Sequence, residues 1–136
     1  MPLYGSQATT NSPLQAVRDD QVVPVTFFSA ETPAAGQASI AAGLMPATPD
    51  GQLGPVAFRF SCPLGIGAGV FQIQDADVDA AGEYDSISFG GASPGTVASA
   101  NMNASGVARV ELILRARFVR ILCVTAPSNP VTVTAV

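Results

Sequence analysis

The sequence predicts an all-β domain, an antiparallel sandwich of short strands. Three observations predict it. Apolar and polar residues alternate with period two over residues 56–62, 69–75, 106–114 and 117–125. Turn composition separates these runs: 13 glycines and 11 prolines in 136 residues exceed the usual share. No stretch holds a 3.6-residue period beyond about one turn, and the only alanine-rich stretch, residues 33–44, is broken by Gly36 and Gly43. The length fits one domain with a core of its own.

Taken in order, residues 1–20 are polar and without sustained period, and read as an extended N-terminal arm; residues 21–136 form the β-sandwich domain. The first strand is expected over residues 21–29 (QVVPVTFFS), where Pro24 requires an edge or a bulge. Residues 31–55 carry four prolines and four glycines and read as connection, with a short strand at 37–42. Residues 49–51 (PDG) form a turn, since proline presets φ and Asp-Gly tolerates positive φ. In 56–62 (VAFRFSC), Val56, Phe58 and Phe60 face one way and Ala57, Arg59 and Ser61 the other. In 69–75 (GVFQIQD), Phe71 and Ile73 oppose Val70, Gln72 and Gln74. A further strand is expected at 84–89 (YDSISF), and a weaker one at 96–103 (TVASANMN). Residues 106–114 and 117–125 are the strongest strands, and 131–136 (VTVTAV) closes the chain. Seven to nine strands of this kind give a sandwich or barrel. The pattern leaves jelly roll and immunoglobulin-like sandwich open, although the Cys–Trp–Cys spacing of true immunoglobulin domains is absent with tryptophan itself.

Composition excludes much chemistry. The chain has no histidine and no lysine, which removes Ser-His-Asp triads, His-bearing zinc sites, P-loops and Schiff bases. The reading is of a non-enzyme without cofactors. Net charge is −4, and six arginines without aromatic interleaving do not make a phosphate-tracking surface, so no nucleic-acid partner is expected. No apolar run approaches the roughly 20 residues that span a bilayer, and the first residues, Met1-Pro2-Leu3-Tyr4-Gly5-Ser6, do not form a secretory signal. Folding in a reducing cytoplasm makes Cys62 and Cys123 buried thiols in preference to a disulfide.

Three groups of residues invite a sharper reading. Asp75, Asp77, Asp79, Glu83 and Asp85 place half of the ten acids in eleven residues. Asp75, Asp77 and Asp79 match the first three ligand positions of a calcium loop, but Ala80 and Ser86 occupy the positions that need glycine and glutamate. A polar strand end is the better reading, with Asp75, Asp77 and Asp79 a weak calcium candidate and no metal required. As a glycosidase pair the acids lack an aromatic platform beyond Tyr84 and Phe89. Residues 65–69 (GIGAG) lack the spacing and the following helix of a phosphate loop, and Asn103-Ala104-Ser105 is a glycosylation sequon in form only. Arg109, Arg115, Arg117 and Arg120 cluster within twelve residues, and Arg120 shares a face with Phe118, Leu122 and Val124. An arginine on an apolar face needs a partner: Glu111 across a hairpin, the acids at 75–85, or another subunit. Arg117, Arg120, Asp75 and Asp77 are therefore the candidate interaction residues.

The irregular arm, the Ala/Gly/Val/Ser/Thr-rich β-body, and the segments Phe71-Gln72-Ile73-Gln74-Asp75-Ala76-Asp77 and Ala116-Arg117-Phe118-Val119-Arg120-Ile121 resemble those of tailed-bacteriophage virion proteins. Among these the chain is most similar to capsid decoration, or cement, proteins. The resemblance implies a jelly-roll-like sandwich, a homotrimer, a position on the capsid exterior of the virion, and the major capsid protein shell as partner. Scarcity of charge, 12% of residues, suits surfaces that become buried. The alternative is a carbohydrate- or receptor-binding β-sandwich of a phage tail or fibre, for which two tyrosines and no tryptophan are a thin supply of sugar-stacking rings.

Overall fold

The computed structural model describes residues 2–3, 5–6, 25–43, 55–114 and 116–136. Its strands are β1 (Pro2–Leu3), β2 (Gly5–Ser6), β3 (Val25–Glu31), β4 (Ala42–Gly43), β5 (Pro55–Ser61), β6 (Val70–Ala76), β7 (Asp85–Ser86), β8 (Val107–Ile113), β9 (Phe118–Thr125) and β10 (Val131–Ala135). β1 and β2 pair with each other; the rest of the expected arm, with Pro24 and the turn at 49–51, lies outside the described residues. The other strands form two antiparallel four-stranded sheets, packed together as a sandwich: a first sheet in the order β3-β10-β5-β8 and a second in the order β4-β9-β6-β7.

Alternation places the core where the sequence reading put it. Phe58 and Phe60 of β5, Phe71 and Ile73 of β6, Val119, Ile121 and Cys123 of β9, and Val131 and Val133 of β10 are fully buried between the sheets. Phe71 joins the layers, its ring 5.9 Å from that of Phe60 and 6.1 Å from that of Phe28. Each such side chain contributes about 1.5–3 kcal/mol by burial, and ring pairs about 0.5–1.5 kcal/mol more. Cys62 and Cys123 are buried, unpaired thiols, and burial pushes both above the ordinary thiol range.

β3 breaks the alternation for a structural reason. Phe27 and Phe28 are adjacent and both buried. Val133 pairs with Phe28 and Thr134 with Thr26, so β3 carries an extra residue there. A second irregularity follows at Ala30, whose φ is +50° and whose N–H donates to Thr132 Oγ1 at 3.0 Å. Bulges of this kind suit an edge strand, which β3 is.

Three expectations change. The strand at 84–89 shrinks to β7: after Ile87 donates to the carbonyl of Ile73, Phe89 and Ala92 bond each other around Gly90 and Gly91. Residues 96–103 hold one bridge, Val97 to Phe71, and then a 3-10 turn at Ser99–Asn101, whose Asn101 Oδ1 accepts the Ala98 N–H. The strand at 37–42 divides into a bridge from Ala38 to Leu122 and β4, both alongside β9.

Candidate functional site

Outward-facing residues of β6 and β9 make the most organised polar cluster among the described residues. Register sets Gln72 opposite Leu122, Gln74 opposite Arg120 and Ala76 opposite Phe118. Arg120 Nε donates to Gln74 Oε1 at 2.8 Å. Gln74 Nε2 donates to Ser86 Oγ at 3.2 Å, and Ser86 Oγ donates to Gln72 Oε1 at 2.7 Å. The chain from the 3-10 turn Ala81–Glu83 folds Tyr84 over this row, with the Arg120 guanidinium 4.1 Å from the ring centre. Tyr84 O–H donates to Asp79 Oδ1 at 2.7 Å. Gln74 and Tyr84 are buried although they lie outside the sandwich core.

Electrostatics follow from this packing. Burial, reinforced by the bond to Asp79 and its negative charge, pushes the Tyr84 phenol up to about 12, while Arg120 pulls the other way. Such a phenol is a poor proton donor or acceptor near neutral pH. The cluster holds Tyr84 and Arg120 in place.

Arg120 therefore meets an amide and an aromatic face instead of the carboxylate expected for it. Glu111 is no partner across a hairpin, because β8 and β9 belong to different sheets. Arg117 and Asp77 are both exposed, and the β6–β9 register continued by one residue places them across from each other. By alternation Asp75 falls on the side of Phe71 and Ile73, opposite to Gln74 and Arg120, so the acids and arginines of this region do not share one face. Asp75 lines a groove of about 350 Å³ between the sheet edges, with Ser86, Ile87, Ser88, Leu112, Ile113 and Leu114. Asp79 is taken by Tyr84, and among the described residues no group of three or more acidic or cysteine side chains gathers as metal ligands would. The weak calcium candidate Asp75, Asp77 and Asp79 is not assembled as a site.

No match is found among protein-family models, curated proteins or solved structures.

The remaining motifs have structural work. In residues 65–69 the N–H groups of Gly65 and Gly69 bond back to Cys62 and Ile66, and Asn129 Nδ2 donates to the carbonyls of Leu64 and Gly65. Asn103 Oδ1 accepts the N–H groups of Ser105 and Val107, which closes the turn into β8. Tyr84 and Gln74 were missed as site residues because contact with Arg120 depends on strand register, which alternation alone does not fix.

Proposed function

We propose that this chain is a non-catalytic structural protein of a virion, a jelly-roll subunit that binds and stabilises a phage capsid shell from outside. The observation that carries the reading is the winding of the chain. From β3 to β10 the path crosses between the two sheets at every connection but one, β6 to β7. Eight strands wound this way, in the orders β3-β10-β5-β8 and β4-β9-β6-β7, correspond to a double Greek key of jelly-roll type. Jelly rolls recur in viral capsid proteins, lectins and cupins. The space between the sheets is filled by Phe28, Phe58, Phe60 and Phe71, which favours a rigid building block over a roll that encloses a substrate. The exposed large apolar residues among those described are aliphatic: Ile40, Leu64, Val78, Ile113, Val124 and Val136. Aliphatic projections suit a protein contact better than sugar stacking.

The assembly proposed is a homotrimer on the shell exterior, as the resemblance to decoration proteins implies. Arg117 and Asp77 are exposed and available for contacts between copies, whereas Arg120 and Asp75 are engaged or recessed within their own chain. The test is co-sedimentation of the purified protein with empty shells from its own source, together with its mass by light scattering. Saturable attachment and a mass three times that of the chain are expected. Failure to attach, with selective binding on a glycan array, would transfer the reading to a carbohydrate-binding module of a tail or fibre.

A further inference from the structure

The outer face of the first sheet carries a pair of arginines. Register sets Arg59 of β5 directly opposite Arg109 of β8, and both side chains are exposed. The ladder shows what kind of pair this is. Ala57 exchanges both backbone bonds with Val136, on the β10 side of β5. Val107 accepts from the Asn103 N–H and donates to its Oδ1, on the free side of β8. In an antiparallel ladder these directions alternate along each strand, so Arg59 turns its backbone groups to β10 and Arg109 to the open edge. The two face each other as a non-hydrogen-bonded pair, the arrangement in which opposed side chains stand closest. Thr134 lies opposite Arg59, and Thr26 opposite Thr134, which extends the row. On this face Arg59 has the small neighbours Ala57, Ser61 and Thr132, and Arg109 is flanked on β8 by Val107 and Glu111.

Like charges directly opposite one another on a sheet oppose folding. Among the described residues neither guanidinium has a hydrogen-bond partner, while that of Arg120 does. Glu111 lies one row away, opposite Ala57. A repelling cationic pair on the flat face of a chain with net charge −4 is what an arriving anion would relieve. Planar guanidinium groups match carboxylates in bidentate geometry, and two of them fit one or two acidic side chains, not a long polyanion.

We propose that Arg59 and Arg109 form the docking point for aspartate or glutamate side chains of the protein partner, so that the outer face of the β3-β10-β5-β8 sheet is turned to the shell. The identity of that partner rests on the shell-binding reading; the site itself does not, and three measurements on the full chain separate the two. In the isolated protein, Arg109→Gln should raise the unfolding midpoint by about 1–4 °C through relief of repulsion; a fall would mean that the pair is already neutralised within the chain, and would overturn the site. In a titration with hexaglutamate followed by the arginine Nε–H resonances, the signals of Arg59 and Arg109 should move together, lose the response at high salt, and leave Arg117 unmoved. A response at Arg117 alone, or none, would overturn the site. With shells, Arg59→Glu/Arg109→Glu should weaken attachment at least about tenfold at low salt, circular dichroism being unchanged; Arg59→Gln/Arg109→Gln serves if the reversed pair does not fold. Attachment undiminished in the folded variant overturns the docking point. Failure of the unmodified protein to attach overturns the shell reading instead, and the other two measurements then decide the site.

Discussion

At the scale of single residues, Arg120 shows how a charge is accommodated on a half-buried face without an ion pair. Its Nε–H is taken by Gln74 and its plane is covered by Tyr84, a hydrogen bond and a cation–π contact in place of a carboxylate. Arg120→Ala removes both contacts and leaves Gln74 Oε1 short of a donor, so a loss of about 1–3 kcal/mol is expected from urea unfolding. Arg117→Ala, at an exposed position three residues earlier, should fall within about 0.5 kcal/mol. Tyr84 supplies a pH dependence. Its phenol is raised in the folded state to about 12, against about 10 when unfolded. The native state therefore holds its proton more tightly, and the stabilisation is complete below pH 10 and lost as pH rises from 10 towards 12. In a Tyr4→Phe background, ultraviolet titration should show no phenolate until well above pH 10, and ionisation should coincide with loss of stability. The need of Arg120 for a partner was legible from its apolar neighbours Phe118, Leu122 and Val124. The identity of that partner was not, since Tyr84 arrives through a loop whose path no local pattern encodes.

At the scale of elements, alternation was enough to find β5, β6, β8 and β9 and to say which side chains face inward. It could not say which strands pair: residues 106–114 and 117–125 read as a hairpin but are split between the sheets. Nor could it anticipate that Phe89 and Ala92 would bond each other instead of extending β7. Paired phenylalanines at 27–28 are inconsistent with strict alternation, and the bulge in β3 resolves them. The turns are more exacting than the strands. Gly106 stands at φ +74°, immediately before β8, with its carbonyl accepting the Cys62 N–H at 2.7 Å. A Cβ there would run into the carbonyl of Cys62. Gly106→Ala should therefore cost about 2–4 kcal/mol, read from the unfolding midpoint, because left-handed strain and a backbone clash act together. Gly82→Ala, where an added Cβ meets nothing within 4 Å, should be close to neutral.

At the scale of the whole molecule, the sandwich class followed from composition and period, whereas the winding became visible only with the pairing. The two sheets are held by few large side chains, and Phe71 is central among them. Phe71→Ala should lower stability by about 3–5 kcal/mol, since Phe28 and Phe60 of the facing sheet lose their contact and little in a close-packed interior can move to fill the space. Denaturant unfolding that found less than about 1 kcal/mol would mean that the layers meet mainly elsewhere.

The position of β10 has a consequence for how the molecule comes into being. This strand lies between β3 and β5, yet it is synthesised after every other strand. While a nascent chain is still growing, β3 has no neighbour to zip against, and Phe27 and Phe28 have no finished layer to enter. The sandwich must then be completed by a late insertion that joins the two most distant parts of the described body. Order of this kind makes folding slow, in the millisecond-to-second range of all-β topologies, and leaves a sticky intermediate for as long as translation lasts. Chains cut short before β10 lack the strand that joins β3 to β5, and would be the first to aggregate.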